Sequence, residues 1–214
     1  MINIQRFVCN MLQENCYVVS DESRECLIID CGAFYPEERR AVVEYIHTEQ
    51  LTPKHLVCTH GHVDHNFGVD TIHDEFGLLP EVHSADEPFM TRLPEQAVQF
   101  IGFRPSNSYP PVGHLLCDGD TVDFGSHKTI VMHTPGHSRG SVCLYLKEEN
   151  VLFTGDTLFR QSIGRTDLEG GSMMQIIQSL RNLAQLPDET IVLPGHGERS
   201  TMGFELETNP FMDR

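Results

Sequence analysis

Short apolar segments alternate with polar breaks along most of the chain, which predicts a protein built from both strands and helices. Near the N-terminus, three such segments predict an antiparallel meander. Further strands are expected in the middle of the chain, and four crowd together in its second half. The predicted strands cover residues 3–8, 15–20, 25–30, 55–58, 121–124, 128–134, 141–147, 150–154 and 191–193.

Apolar residues at helical spacing predict four helices. Pro36 suits the first helical position, and Gly77 can end the second helix. The helices are predicted to begin at Pro36, to span residues 64–76 and 85–103, and to run from Ser172 to Pro187, with a Pro/Gly-rich connection over residues 104–120. Because no linker or low-complexity segment interrupts this pattern, residues 1–214 are expected to form a single domain of mixed α and β character.

Composition narrows the classes of partner. The 15 basic and 31 acidic residues give a formal charge of −16, so nucleic acid is not expected to bind. Apolar runs fall far short of the roughly 20 residues that a membrane span needs, and no targeting peptide is visible. Seven dispersed cysteines without a CxxC pair are typical of reduced thiols. We therefore expect a cytoplasmic protein with neither a membrane nor a nucleic acid as partner.

Four times, a short apolar strand runs into a tight turn that carries histidine or aspartate. The strands end near residues 58, 132, 153 and 193, and glycine directly precedes His62, His137, Asp156 and His196. Function in α/β architectures collects at strand ends, where loops converge over a rigid sheet. Glycine permits close packing of backbone around a compact centre. A tight turn alone easily explains one such glycine. It poorly explains four glycines that each precede a candidate ligand.

The densest chemical signal is His60, His62, Asp64 and His65, within six residues. Such groups cost several kilocalories each when buried without a partner. Neutral imidazole and carboxylate are zinc ligands. Since one ion cannot comfortably take four ligands from six consecutive residues, the spacing favours two adjacent ions.

Three more residues complete the donor set. His137, Asp156 and His196 supply further ligands, and the carboxylate of Asp156 is suited to bridge two cations. The nitrogen and oxygen donors suit zinc in the first instance, with iron or manganese as alternatives. A purely structural zinc site is disfavoured, because such sites are closed and usually rich in cysteine. The remaining histidines lack a comparable setting: His47, His55, His73, His83, His114, His127 and His133.

With these ligands in place, the chain resembles the metallo-β-lactamase fold superfamily. The segments TPGHSRGS (residues 134–141), TGDTLF (154–159) and PGHG (194–197) resemble its glyoxalase II, or hydroxyacylglutathione hydrolase, branch. The resemblance spans nearly the whole chain and implies an α+β fold, an αββα four-layer sandwich with metals at one edge. Only 18 residues follow His196, which resembles the compact form without a C-terminal helical domain.

The resemblance also implies roles for individual residues. It assigns His60, His62 and His137 to a first ion, Asp64, His65 and His196 to a second, and Asp156 to both. Asp64 is further expected to orient the attacking hydroxide. Arg165 occupies the position of a cation that contacts glutathione in the family, and we expect it, with Arg160, to steer an anionic substrate.

Three functions follow from these expectations. The first is a two-metal thioesterase that acts on S-2-hydroxyacylglutathione, a small-molecule thioester. The second keeps the scaffold but uses His60, His137 and Asp156 to hold one Fe(II), as the resembling persulfide dioxygenases do; lactone hydrolysis is a further variant. The third is a metal-binding scaffold without catalysis.

Overall fold

A computed structural model describes residues 1–105 and 107–212. Outside the described residues lie positions 106, 213 and 214. All three belong to the predicted domain, and position 106 also belongs to the predicted connection. The first of two six-stranded sheets has its strands in chain order. They are β1 (Asn3–Cys9), β2 (Glu14–Ser20), β3 (Glu25–Ile29), β4 (Thr52–Val57), β5 (Pro80–His83) and β6 (His114–Leu116).

The second sheet is built from the later part of the chain, in the order β14, β13, β10, β9, β8, β7, while β11 and β12 form a separate two-stranded hairpin. These strands are β7 (Thr121–Phe124), β8 (His127–His133), β9 (Val142–Leu146), β10 (Val151–Gly155), β11 (Leu158–Phe159), β12 (Ser162–Ile163), β13 (Ile191–Pro194) and β14 (Ser200–Thr201). The helices are α1 (Pro36–Thr48), α2 (Val69–Phe76), α3 (Glu87–Met90), α4 (Leu93–Ile101), α5 (Met173–Leu183) and α6 (Met202–Thr208).

Three clusters of buried side chains define four layers. One face of the first sheet, including Val18 and Ile28, packs against α1, α2 and α4. The opposite face of the same strands, including Val19 and Leu27, packs against the second sheet. The outer face of the second sheet packs against α5 and α6. Since successive side chains of a strand point to opposite faces, strands buried on both sides separate two helical layers, which is the expected αββα sandwich.

The expected N-terminal meander is confirmed, with β1, β2 and β3 pairing antiparallel. The predicted helix over residues 64–76 is wrong in its first half. Residues Val63–His65 form a single 3-10 turn, and α2 begins only at Val69. Asn66 interrupts the helix because its side chain donates to the carbonyls of His60 and His62. Gly77 ends α2 in the left-handed conformation, as expected.

Other differences have local causes. The predicted helix over residues 85–103 is divided into a 3-10 turn, α3 and α4, and Pro88 and Pro94 each stand in the first turn of a new helix. Strand β5 has four residues, β6 lies inside the predicted connection, and β14 has two residues. These strands, together with α6, are too short to produce a periodic signal.

The chain directions bring four strand ends to one edge. β10 and β13 pair parallel, while β9 is antiparallel to both β8 and β10. Strands β8, β10 and β13 therefore point the same way, and their carboxyl ends lie side by side. The end of β4 meets them across the sandwich, since the amide of Val142, at the start of β9, donates to the Thr59 carbonyl.

Away from this edge, Asp21 ties the two sheets together. It lies in the turn between β2 and β3 and accepts hydrogen bonds from the amides of Ser23 and Ser126 and from Nδ1 of His127, at 2.8–3.0 Å. Burial raises the pKa of Asp21, but the hydrogen bonds from Ser23 and Ser126 outweigh burial and hold the pKa below its usual range.

We expect Asp21→Asn to lower the free energy of unfolding by about 1–3 kcal/mol at pH 7, because the amide cannot accept all of these bonds. The lowered pKa stabilises the fold above the unfolded value of about 3.9, and this contribution is lost as the pH falls toward the native value. The difference from wild type should therefore narrow near pH 3 in urea denaturation. Asp123→Asn changes an exposed carboxylate in β7, in the hairpin that carries Ser126 and His127, and is the control; an equal effect there would contradict the assignment.

Candidate metal centre

Histidine and aspartate side chains meet at the edge where β4, β8, β10 and β13 end. They come from four separate segments of the chain, and all are buried except His196, which is partly exposed. The structure brings together every residue that the sequence proposed as a ligand: His60, His62, Asp64, His65, His137, Asp156 and His196.

Two of the preceding glycines are required by this geometry. Gly136 has a φ of 139°, and a Cβ there would lie 2.3 Å from the Ile176 amide nitrogen. A Cβ on Gly195 would lie 2.5 Å from Oδ1 of Asp156. Larger residues would therefore force the ligand-bearing turns apart.

The first group consists of three imidazoles. Nε2 of His137 lies 2.9 Å from Nδ1 of His62 and 3.2 Å from Nε2 of His60. Nitrogens that bind zinc tetrahedrally at about 2.0–2.1 Å are about 3.3 Å apart. The spacing of these nitrogens is therefore close to that of ligands around one small cation.

The opposite ring nitrogens show which atoms carry protons. Nδ1 of His137 donates to the carbonyl of Arg165 at 2.9 Å, and a carbonyl can only accept. The hydroxyl of Thr59 donates to Asp30 and so accepts from Nδ1 of His60 at 3.1 Å. When neutral, His60 and His137 therefore direct bare Nε2 lone pairs at each other. Such a contact is repulsive unless a cation lies between the nitrogens.

The second group repeats this arrangement. Nε2 of His65 lies 3.1 Å from Nε2 of His196, and the latter lies 3.4 Å from Oδ2 of Asp64. The Nδ1 atoms point outward, since that of His65 contacts Asp30 at 2.9 Å and that of His196 donates to the Leu12 carbonyl at 2.9 Å. Hydrogen bonds of this kind fix the tautomer of metal-binding histidines.

Asp156 lies between the two groups. Its Oδ1 is 3.2 Å from Nε2 of His65, and its Oδ2 is 3.5 Å from Nε2 of His137 and 3.7 Å from Nε2 of His196. Oδ1 is buried without a hydrogen-bond donor. A carboxylate that contacts both groups and has an unsatisfied oxygen is suited to bridge two cations.

The electrostatic environment differs between the groups. Burial holds the pKa of His60 well below its usual range and lowers the pKa of His62 to about 4, so both rings stay neutral at pH 7. Burial also disfavours a charged His65, but the carboxylates of Asp156 and Asp30 outweigh it and raise the pKa of His65 well above its ordinary value. The second group therefore favours a positive charge, while the first provides lone pairs to bind one.

The donor set fits a pair of divalent cations. Residues His60, His62 and His137 would hold one, Asp64, His65 and His196 the other, and Asp156 would bind both. The donors are imidazole nitrogen and carboxylate oxygen, which suit zinc, iron or manganese.

Two buried carboxylates that the sequence analysis missed support this centre. Asp30 directly follows β3 and accepts from the amide and hydroxyl of Thr59 as well as contacting His65. It thereby fixes the end of β4 and one ligand together. An acidic residue at the end of an apolar strand is the signal that could have identified Asp30.

The second missed residue is Asp86, which connects the two ligand-bearing loops. Its carboxylate accepts from the amides of Gly61 and Gly140 at 2.9 and 2.6 Å and from the hydroxyl of Ser138 at 2.6 Å. The loop that contains Gly61 carries His60 and His62, and the loop that contains Gly140 carries His137. Asp86 lies at the start of α3 with no motif around it, so the sequence offered no signal.

The two candidate substrate-binding arginines are already engaged within the chain. The guanidinium of Arg165 pairs with Asp167 at 2.7 and 2.8 Å, while its backbone carbonyl orients His137. The guanidinium of Arg160 lies 4.6 Å from the ring centre of Phe204. Phe159, beside it, contacts His196 edge to face. Both arginines follow Asp156 closely along the chain, but neither guanidinium contacts a candidate ligand.

Comparison with known proteins agrees with this geometry. The family model of the metallo-beta-lactamase superfamily matches residues 9–196. The chain belongs to this superfamily. The expected resemblance and the αββα fold are therefore confirmed.

Several superfamily members are similar over nearly their full length. An uncharacterised Mycobacterium leprae protein is 38% identical, with 98% of each chain covered. The hydroxyacylglutathione hydrolase GloC of Haemophilus influenzae is 32% identical, with 99% of each chain covered. The superfamily and the GloC relative indicate a metal-dependent hydrolase.

Solved structures of the superfamily are equally close. The BLEG-1 B3 metallo-beta-lactamase superposes with a TM-score of 0.89 at 36% identity, covering 99% of both chains. TTHA1623 in a di-iron-bound form gives 0.85 at 34% identity, covering 97% of this chain and all of the other. ETHE1 from Myxococcus xanthus gives 0.77 at 25% identity, covering 97% and 83%. The di-iron form agrees with room for two metals.

Two other expectations concern the whole molecule. Within residues 1–105 and 107–212, none of the helices has both the length and the apolarity to cross a membrane. All seven cysteines are free thiols, and Cys117 is the exposed one. The seven cysteines agree with the expected reduced thiols, while the redox state and the cytoplasmic location stay predictions.

We expect metal content to follow the two-group geometry. After zinc loading and dialysis, wild type should retain about two ions per chain, and His196→Ala about one, because the second group loses a ligand. Elemental analysis measures this directly. His114→Ala, an exposed histidine outside both groups, should retain two. Two ions in His196→Ala would contradict the assignment of His196.

We expect Asp86→Asn to reduce both the stability of the fold and the affinity for zinc, although Asp86 is not a candidate ligand. Its amide would face at least one backbone N–H as a second donor, which should lower the free energy of unfolding by about 1–3 kcal/mol and weaken zinc binding about 10- to 100-fold. Denaturation and chelator competition measure the two effects. Asp74→Asn, an exposed carboxylate, is the control. An unchanged zinc affinity would show that Asp86 does not position the ligands.

Proposed function

We propose that the protein is a two-metal thioesterase that hydrolyses S-2-hydroxyacylglutathione or a similar small thioester. The observation that carries the proposal is Asp156, which contacts both ligand groups and leaves one buried oxygen unsatisfied. Similarity to the GloC relative supports the substrate class. Zinc is the cation we propose, with iron or manganese as alternatives.

Two cations bound here would acidify a water molecule toward neutral pH and polarise the substrate carbonyl. The chain's own residues supply the remaining requirements. Oδ2 of Asp64 lies beside His196 at the partly exposed side of the centre, where it can accept a hydrogen bond from the attacking water and so orient it. In the overall reaction the carbonyl carbon gains a bond to oxygen and loses its bond to sulfur.

The leaving group explains why no separate acid is needed. A thiol has a pKa near 8.5, so it departs as a thiolate and takes its proton from solvent. The histidines are arranged accordingly, since the outward nitrogens of His60, His65, His137 and His196 are engaged with the protein. The acid–base groups of the centre are thus committed to holding it together.

The partner in this proposal is a small molecule, and neither nucleic acid nor a membrane takes part. The charge of −16 disfavours polyanions, and we propose a cytoplasmic setting for the reaction.

Iron chemistry is the second candidate. Nε2 of His137 lies within 3.5 Å of both His60 and Asp156, so these residues can form the two-histidine, one-carboxylate triad of Fe(II) oxygenases. The second group does not decide between the two, because the resembling persulfide dioxygenases keep all seven positions. Similarity to the GloC relative, at 32% identity against 25% for the ETHE1 structure, favours the hydrolase. A non-catalytic scaffold is disfavoured, because a full ligand set on small, open turns is more than tying strand ends together requires.

We expect zinc-loaded protein to hydrolyse S-lactoylglutathione with kcat/KM of about 10⁴ M⁻¹s⁻¹ or more. Asp156→Ala should lower this value by on the order of 100-fold or more, while His114→Ala should match wild type. Loss of thioester absorbance measures the rate. A penicillin, an acyl homoserine lactone and glutathione persulfide with dissolved oxygen are assayed in parallel on the same preparation.

The parallel assays decide between the candidates. Preferential cleavage of the penicillin or the lactone would replace the thioester as substrate. About one iron per chain with oxygen consumed on the persulfide would replace hydrolysis by oxygenation. Protein that binds two metals yet transforms none of these compounds would be a scaffold.

A further inference from the structure

A cavity of about 100 Å³ opens beside His62, next to the first ligand group. Its walls come from the α3–α4 region and from the loop before α5, and they combine aromatic, aliphatic and amide groups with one guanidinium and two carboxylates. The lining includes Phe89, Arg92, Gln96, Phe100, Leu168 and Glu169. This chemistry differs from that of the metal ligands and suits part of an organic substrate.

Arg92 is held in place within this cavity. Its Nε donates to the carbonyl of Pro88 at 3.1 Å, and its guanidinium lies 5.4 Å from the ring centre of Phe89. The same ring is 5.6 Å from the ring of His62. A single aromatic ring thus separates a fixed positive charge from a candidate metal ligand, and the contact with Phe89 orients the guanidinium.

The guanidinium of Arg92 is paired with a carboxylate that can be exchanged. Glu169 meets it in a two-pronged pair at 3.1 and 3.4 Å, and the side chains are 46% and 66% exposed. The exposed pair of Arg165 and Asp167 is shorter, at 2.7 and 2.8 Å. Exposed ion pairs contribute little to stability, so a substrate carboxylate can replace Glu169 at small cost.

Other charges around the cavity do not compete for this role. The carboxylate of Glu95 is also part of the lining, but Arg104 pairs with it at 2.6 Å. Among the lining residues, all of which lie in the described part of the chain, Arg92 carries the single permanent positive charge. Planar guanidinium binds carboxylate through two parallel hydrogen bonds.

We propose that Arg92 is the anion-binding residue of the substrate site and selects thioesters whose thiol half carries a free carboxylate. The carboxylate replaces Glu169 while the reacting carbonyl lies at the metal centre. The guanidinium and the His62 ring lie 5.4 and 5.6 Å from the centre of the Phe89 ring, and three residues of extended peptide span about 10 Å, which suits a small peptide thiol reaching past Phe89. This inference rests on the proposed thioesterase function and adds the residue that binds the carboxylate of the substrate.

The test compares an anionic with a neutral thioester of the same acyl group. S-lactoylglutathione carries carboxylates, and the lactoyl thioester of N-acetylcysteamine carries none. We expect Arg92→Gln to lower the ratio of their kcat/KM values about tenfold, mainly through a higher KM for the anionic compound. Glu169→Gln should raise the ratio several-fold, because it frees the guanidinium.

The matched control is Lys54→Gln, which removes one positive charge from an exposed ion pair with Glu25, and neither residue of that pair lines the cavity; its ratio should stay within about twofold of wild type. An unchanged ratio in Arg92→Gln would overturn the proposal. A fall in Arg165→Gln but not in Arg92→Gln would also overturn it, by transferring the anion-binding role to Arg165.

A binding measurement separates this inference from the proposed function. S-methylglutathione carries the same carboxylates but has no thioester to hydrolyse. Calorimetry should show its Kd rising about tenfold in Arg92→Gln and not in Lys54→Gln. If no thioester is hydrolysed but this binding depends on Arg92, the thioesterase proposal fails and the anion site stands. If S-methylglutathione does not bind, or binds equally to Arg92→Gln, the anion site is wrong.

Discussion

The rest of the structure depends on one constraint. It holds imidazole lone pairs and carboxylates closer together than is favourable without a cation between them. The Nε2 atoms of His60 and His137 lie 3.2 Å apart although their Nδ1 atoms contact acceptors. In a buried setting such contacts are costly. Divalent cations would turn the same contacts into favourable ones, so the arrangement of these atoms suits a bound positive charge.

Holding the ligands in place requires rigid elements and buried anchors. The ligands follow strands that end at one edge, and Asp30 and Asp86 connect the loops behind them. A carboxylate satisfied by several donors can be buried at acceptable cost, so each anchor replaces flexible contacts with a fixed one. The anchors therefore determine the distances between ligand atoms, while the ligand atoms determine the chemistry.

The residues that converge at this edge could be found in the sequence because each lies in a local motif that contains a glycine. The sequence predicted the layers through strands long enough to show alternation. It failed where side-chain hydrogen bonds outside the periodic pattern decide the structure. Asn66 breaks a helical pattern by bonding to carbonyls six and four residues back, and Asp86 bonds to a loop 52 residues away. The position of the Arg92 guanidinium likewise depends on Phe89 and on Glu169, which lies 77 residues away along the chain. Such pairings depend on tertiary contacts that periodicity does not encode.

The overall charge and the local charge act on different parts of the encounter with substrate. A formal charge of −16 repels anions at long range, but that field falls off over about 8 Å at physiological ionic strength. At the cavity, the half-exposed guanidinium of Arg92 acts at contact distance, well inside that range. Salt should therefore speed the association of an anionic substrate while weakening its contact with Arg92. An acidic enzyme can in this way bind anionic substrates, provided that its few cations stand where the substrate comes to rest.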